Sequence, residues 1–235
     1  MCGRMTLAWS DLDEVADALE ATYDEQLRGL YRPRYNIAPT DRHPVVILGP
    51  GADASEVRRL NFAGWGFFRG AKRPPLFNAR SETAALRDSF RQAFAARRCV
   101  VPADGFYEWS GPKDARQPHW IHRRDGGLLL MAGLYEDGPT GAPAAPGSPG
   151  DARFSVLTTS PNQLVAPLHD RMPVILEPAD VDLWLRKGPP ELLKPADEDI
   201  LTTQVVSARV NSVKNDDPAC LLPPQTQAPR QLRLI

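Results

Sequence analysis

Cys2 is the residue whose position alone suggests chemistry in this chain of 235 residues. Removal of Met1 would leave a cysteine carrying a free α-amine and a thiol on adjacent carbons, a 1,2-aminothiol. An aldehyde can condense with that amine to an imine, and the thiol can then close a five-membered thiazolidine ring. The internal cysteines, Cys99 and Cys220, have no such amine and read as buried thiols. An α-amine titrates near about 7.7–8.0, so roughly a tenth of it is unprotonated and nucleophilic at neutral pH. A neighbouring acid or base would move the remaining protons. Met-Cys also opens chains in which the cysteine has no task, so the rest of the sequence has to decide.

Three segments place polar residues in apolar settings. Asn78-Ala79-Arg80-Ser81-Glu82 sits at a turn into a helix, where Asn and Ser could equally be capping groups. Asp104-Gly105-Phe106-Tyr107-Glu108-Trp109 follows a hydrophobic strand and sets a carboxylate between two large aromatics. A carboxylate desolvated in this way has its pKa raised, as a general acid near neutrality requires. An ordinary glutamate at a strand end is the alternative. His169, in His169-Asp170-Arg171-Met172-Pro173, is the one histidine among His43, His119, His122 and His169 with charged neighbours and an apolar strand after it. It too could be structural. His119 and His122 lie three apart in a strand-like segment, which points them to opposite faces. No pair has zinc-ligand spacing with a cysteine nearby, so no metal or cofactor is expected.

The elements that would position these groups are mixed helices and strands without regular alternation. Ser10 reads as an N-cap, with Leu12, Val15, Ala16 and Leu19 on one helical stripe. A second helical region spans roughly 82–97, with Ser89 capping its latter half and Phe90, Ala93 and Phe94 inward. A shorter helix covers Ala179 to Arg186, with Val181, Trp184 and Leu185 inward. Apolar runs bounded by Gly and Pro predict seven strands: Pro44 to Leu48, Glu56 to Phe62, Cys99 to Pro102, Leu128 to Leu134, Phe154 to Thr159, Pro173 to Leu176 and Thr203 to Val206. The fold class is α+β, one domain over 1–235 with a curved, barrel-like, mainly antiparallel sheet flanked by helices. Residues 138–150, nearly all Gly, Pro, Ala and Ser, read as a flexible surface loop, and 222–235 as a C-terminal tail.

With 42% hydrophobic and 24% charged residues the chain has the composition of a soluble globular protein. It has neither an apolar run of 18 residues nor a signal peptide, which argues against membrane insertion and secretion and for a cytoplasmic location. Three scattered cysteines exclude a disulfide framework. A net charge of −1 gives no global attraction to nucleic acid, so any contact with it must be local. Arginines are partly clustered (Arg32, Arg34, Arg58, Arg59, Arg69, Arg97, Arg98), as a basic face or simply a solvated one.

Taken together, Met1-Cys2-Gly3-Arg4, Tyr35-Asn36-Ile37-Ala38-Pro39-Thr40, Asn78 to Glu82, Arg98-Cys99 through Trp109, Thr158-Thr159, His169 through Leu176, Arg209-Val210-Asn211 and Asn215-Asp216-Asp217-Pro218 occur in one order. In that order the chain resembles, nearly end to end, the SOS response-associated peptidase (SRAP) family, whose members crosslink abasic sites in single-stranded DNA. The resemblance implies that Cys2 attacks the aldehyde of an abasic deoxyribose and ends as a thiazolidine. It implies that Asn78 holds the amino-terminal residue and that Glu108 and His169 move protons during ring opening, imine formation and reversal. Arg4 and Arg80 would meet the flanking phosphates and Thr159 would lie near the sugar. Some lyase activity would accompany this, on a monomer with abasic single-stranded DNA as partner and no membrane. Where the family commonly continues Trp-Gly with an aliphatic pair, Pro and a second Trp, this chain has Trp65-Gly66-Phe67-Phe68-Arg69-Gly70. Trp65, Phe67 or Phe68 could stack on bases in its place, or belong to the core. A thiol peptidase acting on its own Met1–Cys2 bond and a non-catalytic single-strand binder are the rival functions.

Overall fold

A computed structural model describes residues 3–51, 55–70, 73–112, 114–137 and 152–224. Met1, Cys2, the 138–150 segment and most of the expected C-terminal tail (225–235) lie outside the described residues. In chain order the strands are β1 (Met5–Leu7), β2 (Arg34–Ile37), β3 (Arg42–Pro50), β4 (Glu56–Trp65), β5 (Asn78–Arg80), β6 (Arg98–Ala103), β7 (Gly105–Ser110), β8 (Gln117–Arg123), β9 (Leu129–Glu136), β10 (Arg153–Thr159), β11 (Met172–Pro173), β12 (Ile175–Leu176) and β13 (Leu201–Val205). The helices are α1 (Leu12–Ala18), α2 (Ser81–Ala84), α3 (Arg91–Ala96) and α4 (Val181–Arg186), with short 3₁₀ turns between elements.

Two sheets result. The smaller runs β13-β8-β7-β1-β2 and is antiparallel throughout. The larger runs β11-β10-β4-β3-β6-β9-β12, and β9 also pairs with β10, so β10, β4, β3, β6 and β9 close into a ring. Only β10 breaks the antiparallel rule, lying parallel to both β4 and β5. Each predicted strand is present except that the one expected over Pro173 to Leu176 is split into β11 on β10 and β12 on β9, and the fold is the expected α+β class with a ring-like sheet that is not a true barrel.

β9 and β10 are buried along nearly their whole length. Both faces are covered, which explains why their sequences are apolar runs rather than alternations. β10 therefore brings Ser155, Thr158 and Thr159 into the interior, and the Thr158 hydroxyl donates to the Ala79 carbonyl at 3.4 Å.

The helices depart from expectation in two places. The cap of α1 is Asp11, not Ser10: the Asp11 carboxylate accepts from the Glu14 N–H at 2.9 Å, while the Ser10 hydroxyl donates to the Glu14 carboxylate at 2.9 Å. The expected helix over 82–97 is broken into α2 and α3 by a turn, and Ser89 caps nothing; Phe90 opens α3 with no side-chain cap. The reason is tertiary: the Ser89 carbonyl is taken by Arg69 instead, and Phe90 is drawn inward against Phe67, ring centroids 5.6 Å apart. α4 carries Val181, Trp184 and Leu185 into the core as expected.

Candidate active site

Glu108 is the centre of the site. β7 alternates, with Phe106, Glu108 and Ser110 on one face and Tyr107 and Trp109 on the other. Phe106 belongs to the main core, and Tyr107 and Trp109 pack with Val206 and Val210 in a second cluster, so Glu108 lies between two apolar masses at 4% exposure. That burial pushes its carboxyl up to about 7, reinforced by the negative charge of Asp170 and opposed by Arg116. β1 pairs with β7 through Met5↔Phe106, and the Tyr107 N–H donates to the Arg4 carbonyl at 3.0 Å. Continuing that register by one residue sets Gly3 against Glu108. Cys2, its neighbour in sequence, lies outside the described residues.

The electrostatic coupling of Glu108 to Asp170 brings in the second segment. The His169 Nδ1 lies 3.0 Å from the Arg171 N–H and 2.8 Å from the Asp170 carboxylate. The two contacts serve two protonation states: a neutral ring accepts from the Arg171 N–H, and an imidazolium donates to Asp170. Partial burial lowers the pKa of His169 below its ordinary value, which favours the neutral ring.

The third segment is joined to the second by a fork. Arg171 is largely buried and donates from both Nη atoms to Glu82, at 2.7 and 2.8 Å, and from Nη2 to the Thr158 carbonyl. Thr158 is the residue at which β10 meets both neighbours, paired with Arg80 on β5 and with Pro173 on β11. Asn78 pairs with Val156 two residues earlier on β10. β10 is thus the rail that sets Asn78 and Arg80 on one side and the His169 segment on the other.

The structure sorts the remaining expected residues. Arg80 is exposed at the start of α2, where it can meet an anion. Arg4 is half-buried, donates from Nη1 to the Asn36 Oδ1 at 2.6 Å and the Val210 carbonyl at 2.8 Å, and lies 5.6 Å over the Trp109 ring. That nitrogen holds the fold rather than a phosphate. Thr159 is buried, with its hydroxyl donating to the Leu193 carbonyl at 3.3 Å. Trp65 and Phe67 are fully buried. Trp65 stacks on Phe154 at 6.0 Å and donates its indole N–H to the Phe77 carbonyl at 2.8 Å, which makes both aromatics core residues and corrects the stacking expectation. Phe68, 44% exposed, is the aromatic of that segment left at the surface.

Sequence reasoning quoted Asn36 and Asp216 without giving either a role. Asn36 is buried, and its amide donates to the carbonyls of Val210, Ser212 and Asn215 at 3.2, 2.9 and 2.6 Å. Asp216 accepts from the N–H groups of Tyr35 and Asn36 at 2.7 and 3.0 Å and pairs with Arg34 and Arg32. The available signal was an Asn and an Asp in two widely separated motifs, the Asn set among apolar residues, where a polar group must be bonded. Among the described residues no group of three or more His, Cys, Asp or Glu could hold a metal ion, and no helix is long and apolar enough to cross a membrane.

A carboxyl group near neutrality, an imidazole held neutral beside a carboxylate and an exposed arginine can accept and return protons beside an anionic ligand. Other proteins are similar to this chain in sequence. The abasic site processing protein YoqW of Bacillus subtilis is 35% identical over 239 residues, covering 93% of this chain and 97% of that one. The abasic site processing protein YedK of Escherichia coli is 32% identical over 195 residues, 80% of each chain. A crystal structure of a Bacteroides thetaiotaomicron protein shares the fold, with a TM-score of 0.75 at 23% identity over 94% of this chain and 99% of that one. The sequence model described as SOS response associated peptidase (SRAP) matches residues 1–213, and the chain belongs to that family.

Proposed function

We propose that this protein processes abasic sites in DNA by capturing the open-chain aldehyde of the sugar on Cys2, once Met1 has been removed. The relatives named for abasic site processing give the substrate class, and the observation that carries the chemistry is Glu108, a buried carboxyl group raised to about 7 on the strand beside the chain start. In its protonated form it delivers a proton to the ring oxygen as the deoxyribose opens and the anomeric hydroxyl gives its own proton to water; reprotonated from solvent, it delivers a second to the hydroxyl that leaves as water when the imine forms. The carboxylate left behind accepts the thiol proton as the sulfur closes the thiazolidine. His169 serves the reverse direction and any β-elimination of the 3′ phosphate. Arg80 holds a flanking phosphate, Asn78 the amino terminus, and Phe68 stacks on a base of the single strand. Cys2→Ala should abolish the adduct that wild-type protein forms, without borohydride, on an oligonucleotide bearing one abasic site. An undiminished adduct from that variant would falsify the assignment. Protein that retains Met1 should be inert, because a peptide nitrogen is delocalised into its carbonyl and forms no imine. Peptide hydrolysis without DNA capture would favour the peptidase reading instead.

A further inference from the structure

We infer that His119 is a relay residue that exchanges protons between Glu108 and water, with Ser110 holding its ring. The inference rests on the function proposed above. It starts from the ladder between β7 and β8, where Glu108 is paired directly with His119. Directly paired residues of an antiparallel ladder share a face, with Cβ atoms about 4.5–5.5 Å apart. His119 is held there by the Ser110 hydroxyl, 2.8 Å from its Nε2, and Ser110 lies two residues beyond Glu108 on that same face.

The face is graded. Phe106 and Ile121, the pair before, are wholly buried; Glu108 is 4% exposed beside a partly exposed His119; Ser110 and Gln117, the pair after, are partly exposed. A carboxyl group this buried, asked to lose and regain a proton, needs a path to solvent, and the next step outward along its own face is an imidazole. The Nε2 bond to Ser110 leaves Nδ1 as the second ring nitrogen for the exchange.

The proton balance closes without a further reactant. Glu108 gives its proton to the ring oxygen as the sugar opens, the anomeric hydroxyl releases its own proton to water, and Glu108 becomes a carboxylate that must be reprotonated before it can protonate the hydroxyl that leaves as water. The imidazolium of His119 returns a proton to it and becomes neutral, and water at the exposed edge reprotonates the ring. Burial raises the Glu108 carboxyl to about 7 and lowers His119 below its ordinary value, so transfer from His119 to Glu108 runs downhill. The charges that act on Glu108 are the amino terminus, Asp170 from the loop before β11, and Arg116 just before β8; on its other side His119 is paired with the apolar Val205 of β13.

The test measures the rates of adduct formation and reversal on an abasic oligonucleotide from pH 5.5 to 8.5 for wild type, His119→Phe and His119→Ala. Below about pH 6 the variants should match wild type, since Glu108 is already protonated. Above pH 7 they should fall behind by about tenfold, the low end of one positioned proton-transfer group. Added imidazole should restore His119→Ala, which leaves room for it, and not His119→Phe. Variants that follow wild type across the whole range, or a deficit that is constant with pH and untouched by imidazole, would overturn the relay. Wild-type protein that forms no adduct would instead sink the proposed function itself.

Discussion

At the scale of single residues, Glu108 couples the chemistry to stability through its proton. Its folded carboxyl titrates at about 7 against an ordinary 4.5, so the folded state holds the proton more tightly than the unfolded chain. Stability from this group is fully present below about pH 4.5 and is lost as pH rises towards 7. Glu108→Gln, which mimics the protonated form, should flatten the stability profile across that window and stabilise the protein at pH 8 by up to about 3 kcal/mol. Urea midpoints at pH 4.5 and 8 measure it, and a profile that still falls between them would put the titrating group elsewhere. The same substitution should slow adduct formation by roughly 10²–10⁴. Arg4 and Arg80 should separate. Arg80→Ala should lower the salt slope of noncovalent single-strand binding by about 0.7, as loss of one phosphate contact does. Arg4→Ala should instead lower the melting temperature, since Asn36 and Val210 lose a donor. Salt titrations beside melting curves distinguish the two.

At the scale of elements, the hairpin β7–β8 has one position with no latitude. A Cβ at Gly105 would stand 2.0 Å from the Trp120 Nε1, which donates to the Thr6 hydroxyl at 3.0 Å. Gly105→Ala should cost about 1–3 kcal/mol or more through overpacking and should loosen β1 from β7. A melting curve like wild type would mean that Trp120 moves aside freely. The long strands were legible because β3, β4, β6, β9 and β10 carry apolar runs whose burial decides their form. β1, β2, β5 and β7 were not among the predicted strands: Met5–Leu7 and Asn78–Arg80 are three residues each, and β1 and β5 are held by β7 and β10, more than 70 residues away in sequence. Glu108 was visible because a carboxylate between aromatics is a local signal. His119 was considered and set aside, because its meaning comes from the cross-strand partner that only the fold supplies. The burial of Trp65 and Phe67 was hidden for the same reason, since an aromatic in sequence looks alike whether it meets a base or Phe154.

At the scale of the whole molecule, Asn36 and Asp216 fasten the smaller sheet to the segment that follows β13. Asn36→Ala removes the donors to three buried or part-buried carbonyls and the acceptor for Arg4. It should cost about 2–4 kcal/mol, or about 5–15 °C of melting temperature in a chain of this size. Because Arg4 and Trp109, which flank the Glu108 strand pairing, hang from the same knot, crosslinking should decline with it. Loss of stability with unchanged crosslinking at low temperature would show that the knot and the site are independent.

The pairing of β9 with β10 has a practical consequence. The ladder begins at Glu136↔Arg153, so the two ends of the intervening segment are held face to face by the ring itself. From Arg153 to Thr159, beside the His169 segment, β10 advances six residues, about 20 Å. A fluorophore inserted in that segment would therefore be tethered at both ends to a rigid rail, one strand-length from the chemistry. Paired with a dye on the abasic oligonucleotide, it should report docking by energy transfer in real time, ahead of the slower signal from covalent capture.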